Sequence, residues 1–277
     1  MTLISADELV ARLSDTVDTV VLDVRWTLQK PDGREDFLAG HIPGAVYVDL
    51  DSELSDHSVP DRGRHPLPGG AAVQDSLRRW GVDDDSTVVV YDDWNRAGSS
   101  RAWWVLRAAG LQDVRILDGG WSTWAGEVET GDNTADRWGT ATVTVQDLYH
   151  GALPTLTADA SGDLAGGDGG TLLDARAPER YRGEVEPVDP VAGHIPGAQN
   201  LPSTSVLNED GTFVAPDELR SLLGIDGDGS GAYCGSGVSA AVLVAAASTV
   251  GVDVALFPGS WSEWSGAYPT NRATSER

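Results

Sequence analysis

Three strings in this chain occur twice, in the same order. Val20–Trp26, VVLDVRW, returns as TLLDARA at Thr171–Ala177. Gly40–Leu50, GHIPGAVYVDL, returns as GHIPGAQNLPS at Gly193–Ser203, and Gly119–Glu127, GGWSTWAGE, returns as GSWSEWSGA at Gly259–Ala267. The displacements are 151, 153 and 140 residues, so the second copy is shorter in its later part. Ordered recurrence of this kind means a duplicated domain, and each copy must carry a complete fold within half of 277 residues. The expected boundaries are 1–127 for the first domain, 128–153 for a polar connection and 154–277 for the second domain.

Within each copy, short β-branched runs alternate with segments of helical spacing. In the first, Ala6–Leu13 reads as a helix, Thr19–Val24 as a buried strand, and Pro43–Gly44 as a turn into a second strand. Ala72–Gly81 and Ser99–Gly110 read as helices closed by glycine, with strands at Ser86–Asp92 and from Val114. Such alternation predicts an α/β fold, two tandem domains each with a mostly parallel sheet and helices on both faces. Functional groups then collect at the carboxyl ends of the strands. Ala160–Gly170, rich in glycine, reads as a second flexible patch.

Superposing the copies puts Tyr91 on Tyr233, and hence Asp92 on Cys234, the only cysteine of the chain. After Cys234 the sequence runs GSGVS into an apolar helix over about Val238–Val250. Gly235 and Gly237 would let the backbone amides of Gly235, Ser236, Gly237, Val238 and Ser239 turn toward one point, with the positive end of the helix behind them. A sulfur anion would be held there. One cysteine excludes an internal disulfide and a cysteine-based zinc site.

Acidic residues number 43 against 19 basic ones, a formal net charge of −24 with a single lysine, Lys30. That balance disfavours nucleic acid and anionic membranes as partners and matches a chain that stays soluble in concentrated salt. The amino terminus lacks the basic region and apolar core of a secretory signal, and no segment is apolar enough to span a bilayer. A cytoplasmic location is the expectation.

With the paired HIPGA strings, the strand-end Asp-x-Arg pairs, the WS-x-W segments and one cysteine loop in the second copy only, the chain from about Ser5 to Tyr268 resembles the two-domain rhodanese-type sulfurtransferases. The resemblance implies a first domain without catalytic cysteine and a double displacement in the second, through a Cys234 persulfide, with no metal or organic cofactor. The partners it implies are a small-molecule sulfur donor, thiosulfate or 3-mercaptopyruvate, and cyanide or a thiol as acceptor.

The CGSGVS loop resembles that of the mercaptopyruvate enzymes and contains no cation for thiosulfate. Of the two arginines by which those enzymes bind the keto acid, Arg180 is present, whereas Val188 stands at the second position and Arg182 is a candidate substitute. A Ser-His-Asp relay beside the cysteine would correspond to Ser236, His41 and Asp32, although His194 repeats His41 in the second copy and so favours a turn-holding role. The repeated pairs Asp23–Arg25 and Asp174–Arg176 and the tryptophans Trp121, Trp124, Trp261 and Trp264 read as scaffold.

A cysteine phosphatase of the same fold needs an arginine six residues after the nucleophile, where Ala240 stands; the next arginine is Arg272. A sulfur carrier without turnover is the other alternative.

Overall fold

A computed structural model of the chain describes residues 1–15, 18–167, 170–225, 229–270 and 272–274. It divides into two compact units. Unit 1 comprises Met1–Asp56, Leu67–Leu153 and Asn208–Phe213; unit 2 comprises His57–Pro66, Pro154–Leu207 and Val214–Arg277.

Unit 1 is built on a five-stranded parallel sheet of β1 (Leu3–Ile4), β2 (Thr19–Asp23), β3 (Val46–Tyr47), β4 (Thr87–Tyr91) and β5 (Val114–Leu117), in the order β1-β5-β4-β2-β3. Unit 2 repeats the plan with β6 (Thr171–Asp174), β7 (Gln199–Asn200), β8 (Ser230–Tyr233) and β9 (Ala255–Leu256), ordered β7-β6-β8-β9. Every pairing is parallel, as expected for β-branched runs buried on both faces and joined by helical crossovers. The predicted helices occur at Ala6–Ser14, Gly70–Arg79, Ala97–Ala108 and Ala240–Thr249, and Gly81, Gly110 and Gly251 follow the last three in left-handed conformation.

Two expectations about flexible segments need correction. Ala158–Gly166 is a helix, started by the Thr157 hydroxyl accepting from the Ala160 N–H; the rest of that patch includes residues 168–169, outside the described residues. The stretch 128–153 belongs to unit 1 and is strapped to it by backbone bonds such as Ala141 N–H to the Val82 carbonyl and Gly139 N–H to the Arg78 carbonyl. Ala141, Val143 and Leu148 are buried there, which a pattern lacking apolar period concealed.

The two units match bond for bond at the carboxyl ends of their central strands. The hydroxyls of Tyr91 and Tyr233 accept from the Ile42 and Ile195 N–H groups at 3.2 and 3.1 Å. Trp121 N–H donates to the Asp92 carbonyl at 2.9 Å and Trp261 N–H to the Cys234 carbonyl at 3.0 Å, so Asp92 and Cys234 are structural equivalents. Arg25 and Arg176 pair with Asp23 and Asp174, donate to the Gly40 and Gly193 carbonyls, and lie 4.6 and 4.8 Å from the ring centroids of Trp121 and Trp261. These are the repeated scaffold pairs and tryptophans of the sequence.

Among the described residues no helix is long and apolar enough to cross a membrane.

Asp174 is fully buried, and Arg176 is its buried counter-charge. Arg176→Met is therefore expected to destabilise unit 2 by about 3–5 kcal/mol, the scale of an uncompensated buried charge. Urea unfolding followed by tryptophan fluorescence measures it, and a change within error would show that the pair is not what holds the strand end.

Candidate active site

Cys234 follows β8 directly, and parallel register places the preceding residue, Tyr233, against Asp174 of β6. The Cys234 N–H donates to the Ser260 hydroxyl at 3.1 Å, and that hydroxyl donates to the Phe257 carbonyl at 2.8 Å. Ser262 N–H holds the Gly235 carbonyl at 2.9 Å. Ser260 keeps the left-handed φ of 54° that its counterpart Gly120 adopts at 60°, and its side chain anchors the Cys234 backbone.

The turn itself depends on Gly237. Its φ is 80°, and a Cβ there would run into the Pro258 carbonyl. In this conformation the Gly237 N–H donates to Cys234 Sγ at 3.2 Å. The N–H groups of Gly235, Ser236, Val238 and Ser239 have no acceptor in the protein among the described residues. A buried loop with unengaged donors around a sulfur can accept an anion. Gly235 has no positive φ, so its lack of a side chain serves space rather than curvature.

That space is filled by arginine. A Cβ on Gly235 would lie 2.9 Å from Arg64 Nη2 and 3.4 Å from Arg180 Nη1. The loop has no cation of its own, yet the fold brings two to its first residue. Arg182, the expected substitute, does not join them: its guanidinium is tied to Glu184 at 3.0 and 2.9 Å on the surface. Val188 is exposed and contributes only its N–H, donated to Glu186 at 3.2 Å.

The structure pairs Ser236 with a histidine other than His41. Ser236 Oγ is 2.8 Å from Nδ1 of His65, a buried imidazole on the segment His57–Pro66. His41 is instead the twin of His194. Each directs Nδ1 at a carbonyl, that of Phe37 at 2.8 Å or of Tyr181 at 2.7 Å, and stacks on the same residue's ring at 3.9 or 3.8 Å. A carbonyl only accepts, so both Nδ1 atoms carry the proton and brace a turn. Burial lowers the His194 pKa, which keeps that ring neutral. Asp32 accepts from the Arg34 N–H and the Tyr47 hydroxyl of unit 1, bonds that hold its carboxyl below the usual range.

Arg64 and His65 escaped the sequence reading because the segment carrying them belongs, by chain order, to the silent copy. Gly63, with a φ of 82°, allows it to lie against the Gly259 carbonyl, and Arg64 N–H donates to Ser262 Oγ at 3.0 Å. The corresponding loop of the second copy, Asn208–Phe213, is likewise part of unit 1, where Phe213 N–H donates to Asp118 at 2.9 Å. An Arg-His pair in one repeat without a counterpart in the other was the available signal.

In unit 1 the equivalent loop is closed. Asp92 accepts from the Ser99 N–H and hydroxyl, both at 2.9 Å, and from Arg96 at 2.8 Å, so a resident carboxylate takes the donors. No group of three or more metal-ligating side chains is found among the described residues.

Gly237→Ala forces both strain and a backbone collision at the centre of the cradle. It is expected to reduce sulfur loading of Cys234 by about 10²-fold, the scale of losing an anion-stabilising donor. Mass spectrometry of the loaded protein checks this, and normal loading would show that the Gly237 amide is dispensable.

The rhodanese-like domain pattern matches residues 5–127 and 157–267. The chain is 57% identical to "Putative thiosulfate sulfurtransferase SseB" of Mycobacterium tuberculosis, over 98% of this chain and 97% of that protein. It is 34% identical to the 3-mercaptopyruvate sulfurtransferase of Escherichia coli K12, over 94% of each. The crystal structure of SseA from Escherichia coli, described as a 3-mercaptopyruvate sulfotransferase, superposes with a TM-score of 0.80 at 31% identity, covering 95% of this chain and all of that one. With a cysteine cradle in one of two matching repeats and relatives of this kind over its whole length, the chain belongs to the rhodanese-like family as a two-repeat sulfurtransferase.

Proposed function

We propose that the protein takes the thiol sulfur of 3-mercaptopyruvate onto Cys234 and passes it, as the sulfane sulfur of a persulfide, to a thiol or cyanide. The carrying observation is the Ser236–His65 pair beside a sulfur that already accepts a loop N–H.

In the first step the Cys234 thiolate attacks the donor's sulfur. An S–S bond forms, the C–S bond breaks, and its electron pair goes to the enolate of pyruvate. The thiol proton leaves the sulfur and ends on the enolate carbon, so the products are the Cys234 persulfide anion and pyruvate, with no external oxidant or reductant. In this reading Ser236, bonded to His65, moves that proton, and the loop amides stabilise the persulfide charge. In the second step cyanide or a thiolate attacks the outer sulfur, the S–S bond breaks, and the Cys234 thiolate returns.

A second reading takes thiosulfate as donor. It is favoured by the name of the 57% identical relative and by Arg64 and Arg180 beside Gly235. Sulfite leaves as a stable anion and needs no proton, so the Ser-His pair separates the two donors.

Cys234→Ser is expected to abolish turnover with both. His65→Ala is expected to lower kcat/KM for 3-mercaptopyruvate by about 10²-fold while changing that for thiosulfate by less than about threefold. Steady-state assays with each donor and cyanide measure this. Equal losses would remove His65 from the proton path, and His41→Ala serves as the control outside it.

A further inference from the structure

The cysteine loop is pinned from outside by three consecutive residues of one helix, Ser260–Ala267. The Ser260 hydroxyl accepts from the Cys234 N–H at 3.1 Å, the Trp261 N–H donates to the Cys234 carbonyl at 3.0 Å, and the Ser262 N–H donates to the Gly235 carbonyl at 2.9 Å. A trans peptide carries its N–H and C=O on opposite sides, so carbonyls held toward this helix turn the N–H groups of Gly235 and Ser236 away from it. The bond to Ser260 fixes the peptide before Cys234 in the same way. The first turn of the helix therefore sets the direction of the amides on both sides of the cysteine.

Ser260 is the strained member of the three. It is fully buried, and it holds a left-handed backbone that a residue with a Cβ adopts only at a cost. Its hydroxyl has one proton, committed to the Phe257 carbonyl at 2.8 Å, so the Cys234 N–H meets a lone pair. The silent repeat avoids the strain. Gly120 takes the same conformation there, and a Cβ on it would run into Arg96 Nη1, while Arg96 Nη2 donates to the Asp92 carbonyl at 3.2 Å. Val238 stands at the position of Arg96 in the second copy. Serine at the one position and arginine at the other exclude each other, and only the repeat that holds the cysteine keeps the serine.

We propose that Ser260 is a positioning residue for sulfur transfer: its hydroxyl fixes the peptide before Cys234, and through it the place of Sγ on the Gly237 N–H. The proposal rests on the sulfurtransferase reading above and adds a residue that touches neither donor nor acceptor. Losing the anchor moves Sγ off the line of attack on the donor's sulfur and leaves the groups that bind the donor in place. The role is one of kcat and not of KM.

The test compares Ser260→Gly, which removes the hydroxyl and the strain together, with Ser260→Ala, which removes the hydroxyl and keeps the strain. Urea unfolding should find Ser260→Gly the more stable of the two. Both should nevertheless lose about tenfold in kcat with the donor that the wild type turns over, 3-mercaptopyruvate or thiosulfate, while KM changes by less than about twofold. Single-turnover sulfur loading of Cys234, followed by mass spectrometry, should slow by the same factor. A serine with a merely structural role would make activity follow stability, and Ser260→Gly would then work as the wild type does. Wild-type kcat and loading rate in Ser260→Gly, or a loss confined to KM, would overturn the role of Ser260 alone. Absence of a sulfur adduct on wild-type Cys234 with 3-mercaptopyruvate and with thiosulfate would instead overturn the reading on which it rests.

Discussion

The buried pair of Asp174 and Arg176 is the contact on which the rest of unit 2 is arranged. It sits at the strand end beside Cys234, with Arg176 Nη2 at 2.6 Å from the carboxylate and its guanidinium against Trp261. Burying two charges is costly, and the cost is offset only where geometry is good and the remaining donors are satisfied. Here the remaining donors reach the Gly193 carbonyl and, at 3.5 Å, Glu186. From Glu186 the sequence of opposite charges continues through Arg180 and Asp189 to Arg64. Scaffold and loop mouth are thus one alternating chain, and a guanidinium at its far end keeps a fixed direction because each neighbour is fixed in turn.

The silent repeat shows what the same scaffold does without that chain. Its pair, Asp23 and Arg25, is as buried, but Arg25 turns its other donors to the carbonyls of Asp36 and Gly40. The loop that follows is occupied from within by the Asp92 carboxylate, with Arg96 held in a left-handed backbone conformation to meet it. A carboxylate in place of the thiol takes the loop donors that the Cys234 loop leaves unengaged. Both loops solve the same electrostatic problem, that of several N–H groups pointing at one place.

Most of the architecture was legible because duplication and periodicity are local properties of the chain. The alternation of β-branched runs with glycine-closed helices fixed strand and helix positions to within a few residues, and Cys234 stood out against Asp92 as soon as the copies were aligned. The readings that went astray shared a cause. His41 was a candidate through its motif, yet the same motif braces a turn in both units. Arg182 was a candidate by proximity in sequence, but Glu184, two residues on, takes its guanidinium.

The sequence alone determined that there are two α/β repeats, that one carries the single cysteine, and that a glycine-bearing loop follows it. Only the tertiary structure decided which side chains approach that loop. His65 and Arg64 are some 170 residues from Cys234 along the chain and lie in a polar loop of the other repeat, where no spacing rule connects them to it. Loop placement follows from which surface a turn can pack against, here through Gly63 and Ser262, and contacts of that range are energetic outcomes of the folded chain rather than patterns written along it.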